Sequence, residues 1–133
     1  MDAPALTVKN LKKKYKTGTE ALKGVTLTVP RGDFFGLLGP NGAGKTTIIG
    51  IVTGLVSKTE GEVSVFGYNT NNETELAKAQ IGLVGQEVNF NPFEKPLDIV
   101  VNQAGYYGIP RSIAIPRAKK ILKYYKSMNK KKN

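Results

Sequence analysis

The run Gly39-Pro40-Asn41-Gly42-Ala43-Gly44-Lys45-Thr46-Thr47 constrains this chain more than any other stretch. Gly39, Gly44, Lys45 and Thr46 fall at the fixed positions of the phosphate-binding loop G-x-x-x-x-G-K-S/T. Wrapping a polyphosphate takes backbone N–H groups that all point inward, and residues without a Cβ let the backbone curl that tightly. The helix that follows then aims its unpaired N–H groups and partial positive charge at the phosphates. Lys45 has the reach for the β- and γ-phosphates, and the Thr46 hydroxyl is a Mg²⁺ ligand. An ordinary Gly-rich turn would not need Gly-Lys-Thr. The flanks suit the motif. Phe34 to Leu38 is a short apolar run that predicts a strand buried on both faces. Lys45 to Leu55 predicts a helix with Ile48, Ile51, Val52 and Leu55 on one side.

A chain of 133 residues fits one domain with a sizeable core. It has no cysteine, which excludes a disulfide framework and a thiolate zinc site. It has no histidine, which excludes imidazole acid–base chemistry and imidazole metal ligation. No apolar run is long enough to span a membrane and no signal-peptide core opens the chain, so a cytosolic protein is expected. The net charge of +10 is unevenly spread. Residues 117–133 carry 8 Lys/Arg and no acid, so the basicity belongs to the end of the chain. A solvated end is the plainer reading of such a run, ahead of nucleic-acid binding.

Along the chain, Leu6–Leu11 and Val25–Val29 alternate and predict an antiparallel pair of strands, with Lys12-Lys13-Lys14 a solvated edge. Val63–Phe66 predicts a short strand. Glu73–Gln80 predicts a short helix capped by Thr70 or Asn72. Ile81–Val84 predicts a buried strand that leads into Gln86. Leu97–Tyr107 predicts a helix with Ile99, Val100 and Gln103 facing inward, ended by Gly108-Ile109-Pro110. Ser112 to Lys126 is compatible with a helix despite Pro116, and residues 129–133 with disorder.

Several of these residues together resemble the front of the ATP-binding domain of ATP-binding-cassette (ABC) transporters, over about residues 5–122. The likeness is to the bacterial multidrug and exporter type whose cassette is a separate chain. Pro-Asn-Gly-Ala-Gly inside the loop is narrower than the general motif. Tyr15, in Lys14-Tyr15-Lys16-Thr17-Gly18, stands where the family places an aromatic that stacks on adenine. Val84-Gly85-Gln86-Glu87 is similar to the family's Gln loop, with Gly85 where proline is commoner; the resemblance makes Gln86 a Mg²⁺ contact beside the γ-phosphate. Residues from Phe90 to Pro110 resemble the start of the helical subdomain that abuts a membrane-spanning partner.

The resemblance implies an α/β phosphate-loop NTPase fold, present in part: an antiparallel β unit, an incomplete parallel sheet and flanking helices. Residues 1–90 would be the front of the ATP-binding core, 91–122 the start of the helical subdomain, and 123–133 a basic, disordered tail. It implies ATP and Mg²⁺ as ligands, with Tyr15, Asn41, Gly42, Gly44, Lys45, Thr46 and Thr47 on the nucleotide and Thr46 and Gln86 on the metal. The implied partners are a membrane-spanning transporter subunit, which would hold the protein at the inner face of the cell membrane, and a second ATP-binding subunit. Nucleic acid is not among them.

The family completes its site with a Leu-Ser-Gly-Gly-Gln-type loop, an apolar strand ending in Asp-Glu, and a histidine. The sequence contains no Ser-Gly-Gly, no Asp-Glu and no histidine. Hydrolysis needs several such parts in place together. The expectation is therefore a truncated cassette that binds ATP without a catalytic residue of its own, and whose end past Leu122 reads as out-of-frame translation or as an artificially made end. In that case Phe34–Leu38 would show unpaired edges and apolar side chains. Two other classes compete. A GTPase would want Asn-Lys-x-Asp, and Asn129-Lys130-Lys131-Lys132 lacks the aspartate; a small-molecule kinase would want an arginine-bearing lid. A non-catalytic nucleotide- or polyanion-binding module would use the basic tail, and its binding would fall steeply with salt.

Overall fold

The computed structural model describes residues 2–42, 44–85 and 93–129, the last three by backbone only. The chain divides into two compact units, residues 1–84 and 85–133, somewhat ahead of the boundary at 90 expected from sequence.

The first unit is built on four antiparallel strands in the order β2-β1-β3-β4, where β1 is Leu6–Lys14, β2 Glu20–Val29, β3 Glu60–Val65 and β4 Tyr68–Asn69. The β1–β2 pairing is the one the alternating pattern predicts. The strands run longer than the pattern, however, and Lys12-Lys13-Lys14 is strand rather than a solvated edge. Two contacts to the neighbouring segment accompany the extension: Lys12 Nζ meets Glu60 Oε2 at 2.7 Å, and the backbone N–H of Lys14 donates to Thr59 Oγ1 at 3.0 Å.

One irregularity sets the core. Val8 and Leu11 are both fully buried in the same cluster, although strict alternation would put them on opposite faces. The register supplies the reason. Val8 faces Leu27 and Leu11 faces Val25, so β1 carries one extra residue there, and it does so again relative to β3. This is a β-bulge. Asn10 takes a φ of 46° within it, and its N–H turns to Thr26 Oγ1 at 2.9 Å.

Helix α1, Lys45–Val52, lays Ile48 and Ile51 against Val8, Leu11, Leu22 and Val63. Leu55 lies past its end and is exposed, contrary to the face expected from spacing. A short α2, Thr74–Ala79, buries Ala77. Neither Thr70 nor Asn72 caps it. The N-cap residue is Glu73, and Thr74 donates to the Thr70 carbonyl at 2.9 Å.

Two predicted strands are absent from the sheet. Phe34–Leu38 and Ile81–Val84 take no regular structure. Leu37 reaches the core cluster, but Phe34 is 100% exposed, Leu38 93% and Val84 94%. A strand forms only where a neighbour accepts its N–H and C=O groups. Among the described residues nothing pairs with these segments, and the sheet has no parallel component.

The second unit is a helical hairpin of α3, Pro96–Tyr106, and α4, Arg111–Asn129. Pro96 opens α3, where its missing N–H costs nothing. Val101, Ala114 and Ala118 form the buried seam, joined by Leu97, Val100 and Ala104. Val101, not Gln103, is the inward residue; Gln103 is exposed. Helix α4 bears out the helix expected over Ser112 to Lys126 and runs on through Asn129, so the tail expected from residue 123 to lack regular structure is helical as far as Asn129. Residues 130–133 lie outside the described residues.

Candidate functional site

The loop between Gly39 and α1 ends in a glycine that the surrounding packing requires. Gly44 is buried with φ 89°, and a Cβ there would lie 2.7 Å from the Ala21 carbonyl oxygen and 2.6 Å from Leu22 Cδ2. Only glycine meets both demands, the left-handed backbone and the close approach to β2.

Gly44 is also the N-cap of α1, with no side-chain cap and no acidic residue in the first turn. The first helical bond is Ile48 N–H to the Gly44 carbonyl, at 2.9 Å. The N–H groups of Lys45, Thr46 and Thr47 precede that bond and have no helical acceptor. They open, with the positive end of the helix, onto a cavity of about 430 Å³ lined by Ala21, Asn41, Gly42, Gly44, Lys45, Thr46 and Thr47. The Lys45 ammonium folds back onto the loop, donating to the Gly39 and Pro40 carbonyls, the latter at 2.7 Å.

Tyr15 arrives from the end of β1. Its hydroxyl lies 3.3 Å from Thr47 Oγ1, which ties residues 32 positions apart in sequence. The turn after it is closed by bonds from Tyr15 N–H to the Thr19 carbonyl and from Gly18 N–H to the Tyr15 carbonyl, both 2.9 Å. Lys13 Nζ sits 4.9 Å from the Tyr15 ring centroid.

Thus Asn41, Gly42, Gly44, Lys45, Thr46 and Thr47 line one cavity, and Tyr15 is bonded to its edge. Gln86 lies outside the described residues. Sequence reasoning missed Ala21 and Lys13. Ala21 forms a wall of the cavity through its place on β2, and only the register brings it there. Lys13 was read as part of a charge run. Its position two residues before Tyr15, at the end of β1, was the available signal.

A glycine-gated loop, a helix N-terminus and a lysine around one cavity define a phosphate-loop nucleotide-binding fold. Comparison with known proteins narrows the class. The family model described as "ABC transporter" matches residues 22–133. The linearmycin resistance ATP-binding protein LnrL of Bacillus subtilis (strain 168) is 39% identical over 119 residues, 90% of this chain and 38% of that protein. The phosphonates import ATP-binding protein PhnC of Alcaligenes faecalis is 44% identical over 86 residues, 62% of this chain and 31% of that one. Among solved structures, a dimeric post-hydrolysis state of the ATP-binding cassette MJ0796 bound to ADP and Pi superposes with a TM-score of 0.72 at 32% identity. It covers 89% of this chain and 56% of that one. An ATP-binding subunit of an ABC transporter gives a TM-score of 0.67 at 30% identity, over 81% of this chain and 45% of that one. The chain belongs to the ABC transporter family. It spans roughly a third of the length of these curated relatives.

Proposed function

We propose that residues 1–133 form the nucleotide-engaging front of an ABC transporter ATP-binding subunit and bind Mg-ATP. The observation that carries this reading is the bond between Tyr15 and Thr47, which sets an aromatic ring at the edge of the phosphate-loop cavity. A purine nucleoside triphosphate has both chemistries, a flat base and a chain of anions. The residues present fit the ligand. The cradle closed by Gly44 would take phosphate oxygens on the N–H groups of α1. Lys45 would exchange its bonds to the Gly39 and Pro40 carbonyls for phosphate oxygens, and Asn41 and Gly42 would line the phosphate path. The Thr46 hydroxyl would share Mg²⁺ with the phosphates, the usual mode for this ion, with Gln86 as a second contact. Mg²⁺ held there would supply neutralisation of phosphate charge.

Turnover is a separate matter. The sequence holds no Asp-Glu pair and no histidine, so these residues alone are proposed to bind and not to hydrolyse. In the whole protein the same site would serve transport. A membrane-spanning subunit and a second ATP-binding subunit would be its partners, and the former would bring it to the inner face of the membrane. No helix among the described residues is long and apolar enough to cross a membrane.

The test is Mg-ATP binding by calorimetry for the wild-type chain and Lys45→Ala, with circular dichroism on both. Lys45→Ala is expected to weaken binding about 10- to 100-fold, the worth of a charged hydrogen-bonding group, with an unchanged spectrum. Equal affinity in the two proteins would overturn the reading.

A further inference from the structure

Lys13 is set apart from the other lysines of β1 by what its ammonium touches. Lys12 is paired with Glu60, and Lys14 is held through its backbone N–H and carbonyl by the Thr59 hydroxyl. The Lys13 ammonium donates to the Ser57 carbonyl at 2.5 Å and at the same time lies 4.9 Å from the centroid of the Tyr15 ring. Ser57 lies in the connection between α1 and β3, so the cation is held by the backbone of another segment and not left to wander. The ring is fixed independently, by its hydroxyl at Thr47 and by the closed turn from Tyr15 to Thr19. Tyr15 therefore has one face backed by a held cation and still leaves 37% of its surface exposed.

We infer that Lys13 is a positioning residue for base recognition. It works through Tyr15 and does not touch the phosphates. Two physical effects follow from its place. The covered face is closed to a ligand, so a base stacks on the opposite face only and arrives in one orientation. An ammonium over an aromatic face also draws π density toward itself. That leaves the opposite face less repulsive to the electron-rich ring of a purine. The ligand class is an aromatic base carried on a polyphosphate. Purines gain more than pyrimidines, since they offer more stacking area. This inference rests on the nucleotide reading proposed above, and its test separates the two.

The experiment compares two probes, ATP and inorganic tripolyphosphate, each with Mg²⁺, on the full chain and on Lys13→Met, Lys13→Arg, Tyr15→Leu and the double variant. Lys13→Met keeps the apolar stem and removes the charge. It is expected to weaken ATP about two- to fivefold, the scale of one exposed cation–π contact, and to leave tripolyphosphate unchanged. That unchanged probe also certifies that the loop is folded. Lys13→Arg restores ATP affinity. In the Tyr15→Leu background, Lys13→Met has no further effect. Equal weakening of both probes would make Lys13 a general electrostatic contributor and overturn the inference while the nucleotide reading stands. So would an unchanged ATP affinity, or additive losses in the double variant. A wild-type chain that binds neither probe would sink both.

Discussion

Two apolar stretches of the first unit meet opposite fates. Val8 and Leu11 in β1 are fully buried, while Phe34 and Leu38, just ahead of the phosphate loop, stand almost wholly in solvent. Their side chains differ little in hydrophobicity. The difference lies in the backbone. β1 has a partner on each edge, β2 and β3, and a helix over one face. Among the described residues, Phe34–Leu38 has no strand beside it. Apolar composition marks a segment that gains by being covered; what covers it must come from somewhere else in the chain or from a partner.

The sharpest way to test that contrast is to truncate a residue on each side of it. Leu11→Ala opens a hole in the cluster of Val8, Leu22, Ile48, Ile51 and Val63, and should lower unfolding free energy by about 3 kcal/mol in a urea titration. A loss well under 1 kcal/mol would mean that this cluster is not the core of the unit. Gly44→Ala sits between the two regions. Its methyl would meet Ala21 and Leu22 in a backbone conformation that alanine resists, so a loss of about 1–3 kcal/mol is expected. The loss should show in the melting midpoint as well as in ATP affinity; an unaffected midpoint would place the close approach to β2 in doubt. Phe34→Ser should do least to stability and leave the midpoint where it is, while binding of a hydrophobic dye such as ANS falls. A destabilised Phe34→Ser would show that the exposed run is covered after all and would break the comparison.

These fates also explain what was legible beforehand. The phosphate loop was readable because its chemistry is local: Gly39 to Thr47 carry the spacing themselves, and α1 follows from the spacing of Ile48 and Ile51. The β1–β2 pairing was readable for the same reason, two alternating runs close in sequence. Strands at Phe34–Leu38 and Ile81–Val84 are inferred from apolar runs, but strand formation is a property of pairs; at Phe34–Leu38 the absence of the family's later elements already pointed to exposed apolar side chains, and Phe34 and Leu38 are exposed. The inward face of α3 was misjudged at Gln103 because helix phase has to be set by the packed partner. Here Ala114 and Ala118 of α4 pack with Val101 in the buried seam. The continuation of α4 to Asn129 went unseen because a lysine-rich end reads as solvated whether or not it is helical. At the site, Ala21 and Lys13 escaped notice because each acts through a neighbour on another element.

The extra residue at Asn10 has a reach beyond the core it was introduced with. A strand deals its side chains alternately to two sides, and one inserted residue flips that parity for everything downstream. Counted from Val8 without it, the lysines at 12 and 14 would fall on the helix-covered side, and Lys13 and Tyr15 on the other. With it, Leu11 joins the core, Lys13 lies opposite buried Leu22, and Tyr15 comes round to Thr47 at the head of α1. A single count in β1 thus decides which side of the sheet the aromatic ring occupies, five residues before the ring itself is reached.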